Sequence, residues 1–419
     1  MSDLLRVATA GSVDDGKSTL IGRLLYDSKN VYADQLDAVW DASRRRGLDA
    51  SDLALLTDGL RAEREQGITI DVAYRYFATA RRSFVLADTP GHVQYTRNMV
   101  TGASTADVAV VLVDARHGVV EQTRRHAALA ALLRVGHLVL AVNKMDLVEF
   151  DQEVFDRTVG EFSSLATTLD ASSVTAIPVS ALHGDNVVTS SRRLGWYTGP
   201  TLLEHLETTP MPVRGRDVGM RLPVQGVIRP RSAEFPDYRA YTGRIAAGAL
   251  AVGDEVTVLP AGVRSRVVGI DTADGSLRSA AIGRSVAVRL AEAVDVSRGD
   301  LLVTGDQPPT ITRRLRGRIC VLADRVIRPG DRFGVRVGTR EVRGALVELG
   351  ERWDAVTLTS GEAEHLFEND IGTVELRLSE PVALDDYASS PSTGSFLLTD
   401  ELSGATVAAG MALDVSGVT

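Results

Sequence analysis

Through the first half of the chain, short apolar runs alternate with stretches whose apolar residues recur three and four positions apart. LRVATA (4–9), ITIDVAYRYF (68–77), SFVLAD (83–88), VAVVLVDA (108–115), LVLAVN (138–143) and AIPVS (176–180) read as strands. Segments 17–26, 33–46, 93–103, 121–134, 151–168 and 201–207 read as helices between them. Strands that are apolar at nearly every position, separated by helices, predict a mostly parallel sheet covered on both faces.

The pattern changes near residue 208, where TTPMPVRGRDVGM has the composition of a linker. Beyond it come short Val-rich runs with glycine turns: RLPVQGVI (221–228), YRAYTGRIAAG (238–248), DEVTVLPAG (254–262) and SVAVRLAEAV (285–294). This spacing predicts a small β-barrel. TGDQPPTITRR (304–314) is a second break, followed by RFGVRVG, GTVELRLSEPVAL and SFLLTDEL in another all-β segment. Three domains are expected, at 1–209, 220–306 and 312–419.

Composition narrows the class. Hydrophobic content of 44% and charged content of 24% suit a soluble globular protein. No apolar run approaches the roughly 20 residues that span a bilayer, and MSDLLRVATAG lacks the form of a signal peptide. A cytoplasmic protein with no membrane segment is expected. The single cysteine, Cys320, lies in an apolar run, reads as a small core residue and leaves no internal disulfide. The net charge of −9 argues against nucleic acid as the main partner. Of 46 basic residues only Lys17, Lys29 and Lys144 are lysine. An ammonium is a compact point charge and a guanidinium a planar fork, and some sites accept only the former. Lys29, in YDSKNV, reads as a solvated helix-end charge.

The other two lysines sit in motifs. GSVDDGKST (Gly11, Ser12, Val13, Asp14, Asp15, Gly16, Lys17, Ser18, Thr19) is a phosphate-binding loop between a predicted strand and a predicted helix. Backbone N–H groups would close around the phosphates, and the helix N-terminus adds partial positive charge. Lys17 would bridge the β- and γ-phosphates, and the Ser18 hydroxyl would bind Mg²⁺.

NKMD follows a strand and names the base. The Asp146 carboxylate can accept from guanine N1–H and the 2-amino group, whereas adenine would leave it unpaired. Sites of this type discriminate by about 10⁴-fold or more. The Lys144 stem can cover the base, and Asn143 can tie this turn to the phosphate loop. VSAL (179–182) offers the N–H groups of Ser180 and Ala181 to guanine O6, with Leu182 beside them. In ADTPGH (87–92), Asp88 would hold Mg²⁺ through water, the Gly91 N–H would sense the γ-phosphate and His92 would orient the attacking water. Thr69, in EREQGITI, would complete the Mg²⁺ shell. The candidate catalytic groups are thus Lys17, Gly91 and His92, the ligands GTP and GDP. Nothing marks one arginine as an arginine finger.

This order and wording resemble the translation-factor class of P-loop GTPases, and within it the GTPase subunits of bacterial sulfate adenylyltransferase. The carrying phrases are GSVDDGKSTLIGRLLYDSK, LLTDGLRAEREQGITIDVAYRYF, DTPGHVQYTRNMVTGASTADVAVVLVDAR, NKMDLV and PVSALHGDNVV, with LPVQGVIRP, YTGRIAAGALAVGDEVTVLP and VSRGDLLV after residue 220. The resemblance implies a doubly wound P-loop GTPase domain followed by two small elongation-factor-like β-barrels. It also implies a hetero-oligomer with a separate ATP sulfurylase catalytic subunit. That partner makes adenosine 5′-phosphosulfate and pyrophosphate from ATP and sulfate, driven by GTP hydrolysis here. The chain has no SGGxDS or HxGH segment for adenylyl transfer and no second GxxxxGKS. By the same resemblance Asp14 would lie near the γ-phosphate and hold K⁺ or Na⁺; the alternative is a carboxylate capping a local N–H. The role of Asp15 stays open. Two other readings remain: a translation elongation-factor-type GTPase, which the acidic balance disfavours, and a nucleotide-binding scaffold without turnover.

Overall fold

The computed structural model describes residues 4–12, 14–29, 53, 72–90, 96–171, 173–211, 218–230 and 237–413. Val13, Thr69, Gly91 and His92 lie outside these residues, as do the expected helix 33–46 and the first residues of the 68–77 strand. The chain divides into two compact units, Met1–Pro212 with Ala355–Leu358, and Val213–Asp354 with Thr359–Thr419.

In chain order, the first unit contains β1 (Leu4–Ala10), α1 (Lys17–Asp27), β2 (Ala73–Ala78), β3 (Ser83–Asp88), α2 (Thr96–Ala103), β4 (Val108–Asp114), α3 (Glu121–Leu132), β5 (His137–Asn143), α4 (Gln152–Thr168), β6 (Val174–Pro178) and α5 (Leu202–Thr208). The sheet order is β2-β3-β1-β4-β5-β6. All pairs are parallel except β2 with β3, so the edge strand alone runs the other way. Later strands flank β1 on both sides, and this reversal of order opens a crevice at the carboxyl ends of the strands.

Burial explains the apolar runs. β4 is buried at all seven positions, as a central strand covered on both faces must be. α1 lays Leu20, Ile21, Leu24 and Leu25 onto a core that includes Leu5, Val7, Phe84 and Val110. Each such side chain contributes about 1.5–3 kcal/mol, which holds the helix with its N-terminus at the crevice. α4 and α5 start one residue later than the periodicity predicts, because Asp151 and Thr201 are caps outside the helices. The Asp151 carboxylate accepts the Glu153 N–H at 2.7 Å. Thr201 and Glu204 bond each other's N–H groups, at 3.2 and 2.9 Å, in a capping box.

Among the described residues the second unit holds a two-stranded antiparallel sheet, Ala249–Ala251 with Ser279–Ala281, and two large antiparallel sheets. In one, Arg332–Val337, Ser395–Thr399, Thr406–Ala412, Thr310–Val321, Ile371–Leu384 and Arg340–Trp353 pair in that order, and the last pairs with the first. The ring is therefore a closed six-stranded barrel, and closure removes the open edges. Its interior includes Ile319, Phe333, Val335, Leu376 and Leu398. Cys320 is buried on one of these strands, and burial pushes its thiol up to about 12. The other sheet runs from Arg221–Pro223 through Leu301–Val303, Glu255–Leu259, Val263–Thr272, Ser285–Leu290 and Ala240–Arg244 to Gly226–Ile228. Arg221, on its first strand, is fully buried and forks onto Asp385 just past the barrel strand Ile371–Leu384, with both N–O distances 3.1 Å.

Candidate nucleotide-binding site

The phosphate loop leaves β1 and turns into α1 through Gly16, whose φ of 90° suits a residue without a Cβ. A Cβ there would stand 2.5 Å from Asn143 Nδ2. The two aspartates of the loop behave differently. Asp14 is exposed, at φ 70°. Asp15 is 6% exposed and its carboxylate accepts the Ser12 N–H at 2.5 Å. The local cap considered for Asp14 is thus made by Asp15. Burial raises the pKa of Asp15, while the Ser12 N–H and the Lys17 charge oppose that rise.

Lys17 is 7% exposed and donates to the carbonyls of Gly11 and Ser12 at 2.9 and 2.8 Å. Burial lowers its pKa, and Asp88, Asp15 and Asp14 pull it back up. Asp88 ends β3 in register with Thr9, whose hydroxyl donates to Asp88 Oδ1 at 3.3 Å. Ser18 in the first turn of α1 and the buried Asp88 offer hard oxygens, a donor type that fits Mg²⁺. Two residues of α3 reach the loop and were not anticipated. Gln122 Oε1 accepts the Ser12 hydroxyl. His126 is 4% exposed; burial, with Lys17 and Arg125 nearby, brings its pKa down to about 3, so it is neutral.

Asn143 joins the phosphate loop to the SAL turn, the tie between loops expected of it. Its Nδ2 donates to the Asp15 carbonyl at 2.7 Å, and its Oδ1 accepts the Ala181 N–H at 2.9 Å. The Ser180 N–H donates to the Asp185 carbonyl at 3.1 Å. Both N–H groups expected to meet guanine O6 are therefore engaged within the protein. The reason is that buried backbone donors need partners, and Asp185 within the turn and Asn143 at the end of β5 supply them. Ser180 contributes through its hydroxyl instead, donating to Asp146 Oδ1 at 2.5 Å. The outer oxygen of Asp146 has His183 Nε2 at 3.8 Å. Leu182 is 58% exposed beside them, an apolar surface that a flat base can cover. Arg23, one face of α1 away from the phosphate loop, holds the same turn by donating to the carbonyls of Ala181 and Leu182 at 3.2 and 2.5 Å.

Lys144 sits at φ 61° and ψ 34°, and its Nζ is 3.0 Å from Asp114 Oδ2. Burial alone would raise the pKa of Asp114. Hydrogen bonds from Arg116 and Lys144 overcome that and hold the carboxyl well below the usual range. Asp114 had a signal in the sequence, a charged residue ending an otherwise apolar strand. No motif claimed it. Lys29 is exposed at the end of α1, as a helix-end charge would be.

Residues 2–211 match the family described as elongation factor Tu GTP binding domain, and residues 314–413 match the GTP-eEF1A C-terminal domain-like family. A protein of Mycobacterium tuberculosis named bifunctional enzyme CysN/CysC is 55% identical over 100% of this chain and 69% of its own length. Proteins named sulfate adenylyltransferase subunit 1 are similar over nearly the whole chain. The one from Methylorubrum populi is 50% identical, covering 100% of this chain and 88% of its own. The one from Aeromonas salmonicida is 49% identical, covering 98% and 87%. Among the described residues no helix is long and apolar enough to cross a membrane. With a phosphate loop, the NKMD and SAL turns and an asparagine bonded to both sides, the chain belongs to the sulfate adenylyltransferase subunit 1 family, built on an elongation-factor-Tu-type GTP-binding domain.

Proposed function

We propose that the chain is the GTP-hydrolysing regulatory subunit of a sulfate adenylyltransferase. It acts in the cytoplasm in a hetero-oligomer with a separate catalytic subunit. GTP hydrolysis here is coupled to the formation of adenosine 5′-phosphosulfate from ATP and sulfate there. The single observation that supports this most is Asn143, which binds Asp15 of the phosphate loop and Ala181 of the base-reading turn in a chain of this family.

The roles are those that the motifs suggest. Lys17, now on two loop carbonyls, exchanges them for the β- and γ-phosphate oxygens. Ser18 and Thr69, with Asp88 through water, would hold Mg²⁺, which when bound would neutralise charge on the phosphates. Asp146, fixed by the Ser180 hydroxyl, takes guanine N1–H and the 2-amino group. The Lys144 stem and Leu182 cover the base. Gly91 and His92 act at the γ-phosphate and the attacking water. Asp14, exposed on the loop, is the position for a monovalent cation; equal hydrolysis in potassium, sodium and a larger organic cation would remove that role.

The test is co-purification from the native host, followed by an assay of adenosine 5′-phosphosulfate with and without GTP. Product should rise with GTP and fail to rise with a non-hydrolysable analogue. Equal product without GTP overturns the coupling. ATP binding to this chain as tightly as GTP overturns the nucleotide assignment.

A further inference from the structure

Asp114 is the last residue of β4, in register beside Asn143, with its side chain 3% exposed. Arg116 lays its guanidinium on this carboxylate edge-on, Nε to Oδ1 at 3.0 Å and Nη2 to Oδ2 at 2.6 Å. The Arg116 N–H adds a bond to Oδ1 at 2.9 Å. Lys144 Nζ shares Oδ2 at 3.0 Å. His117 Nδ1 lies farther off, at 3.8 Å.

A carboxylate edge already gripped on both oxygens by one planar fork cannot take a second fork on that same edge. What it can still accept is a point charge, which is what an ammonium supplies. Lys144 is also held in the left-handed backbone region, which a residue with a Cβ keeps only under constraint. The side chain is therefore fixed at both ends, by the bent backbone at its root and by Asp114 at its tip. Between those ends run the side-chain methylenes.

Resting on the nucleotide reading above, we propose that Asp114 is a positioning residue of the nucleobase slot: it anchors the Lys144 ammonium so that the lysine stem forms one wall of the slot, and the Arg116 fork on the same carboxylate favours a compact ammonium at 144 over a second guanidinium fork. Asp114 does not touch the nucleotide. The arrangement accounts for a lysine at this position in a chain that uses arginine almost everywhere else.

The test measures release of a fluorescent GDP analogue from the full-length chain. Lys144→Arg should speed release about tenfold or more, the size of a contact-pair coupling. Adding Arg116→Ala, which frees the carboxylate for the new fork, should bring release back toward the wild-type rate. A purely structural role for these residues predicts no such rescue. Wild-type release from Lys144→Arg, or no recovery in the double variant, overturns the proposal. These variants leave Asp114 in place, so the test holds even if Asp114 substitutions fail to fold. In a second arm, Asp114→Asn should add nothing once Lys144→Met has removed the ammonium, and additive effects overturn the proposal. A wild-type chain that binds no guanine nucleotide would instead strike the function proposed above.

Discussion

Arg221 offers the sharpest test of how the second unit is held together. Its side chain is fully buried, and that of its partner Asp385 is 8% exposed. Five hydrogen bonds leave the guanidinium: two to Asp385, and one each to the carbonyls of Met220, Thr304 and Gln307. Arg221→Ala removes all five and leaves the Asp385 carboxylate buried, with the Thr393 hydroxyl at 2.6 Å as its remaining side-chain partner. Breaking one side of a buried pair costs about 3–5 kcal/mol, because the other charge stays desolvated. For a unit of about 200 residues, each kcal/mol moves the midpoint by about 2–4 °C, so a drop of roughly 6–20 °C is expected. Calorimetry of the full chain reads this, because the units can melt separately. Fluorescence assigns the transitions, since Trp353 lies in the second unit and Trp196 in the first. Only the transition reported by Trp353 should move. The paired variant Arg221→Met with Asp385→Leu should recover most of the loss, since no charge is then stranded. An Arg221→Ala shift below about 1 kcal/mol, the range of an exposed pair, would refute the reasoning.

Other expectations concern the nucleotide unit. Asn143→Ala leaves the Asp15 carbonyl and the Ala181 N–H without their partner. At about 1–3 kcal/mol per stranded group, GDP affinity should fall about tenfold or more by calorimetric titration. Arg23→Met should loosen the 181–182 turn and speed GDP release in stopped flow, with little change in melting temperature. His126 stays neutral in the fold down to about pH 3, whereas its ordinary pKa is 6.5. The unfolded chain therefore binds the proton first, and stability is lost as pH falls from about 6.5 toward 3. The ceiling is about 5 kcal/mol for that shift. Chemical denaturation across this window should give a flatter pH profile for His126→Gln than for the wild type.

The described strands and helices of the first unit were legible because their periodicities are local, and so was the phosphate loop, whose residues are contiguous. Boundaries slipped where a polar residue capped a helix instead of joining it, as at Asp151 and Thr201. Within the loop, composition could not say which aspartate turns inward; burial and the Ser12 N–H chose Asp15 over Asp14. The SAL turn reads in the sequence as a candidate base-contacting element, but the partners of its N–H groups depended on Asn143 and Asp185.

The chain alone therefore determined which groups are present: a glycine-rich loop with its lysine, an NKMD carboxylate and a lysine kept where arginine is the rule. Tertiary structure decided which groups meet. Arg23 finds the Ala181 carbonyl 158 residues away, and Arg221 finds Asp385 164 residues away. No local pattern encodes such pairs, because a buried charge is satisfied by whatever the fold brings within hydrogen-bonding distance, and that distance is set by packing.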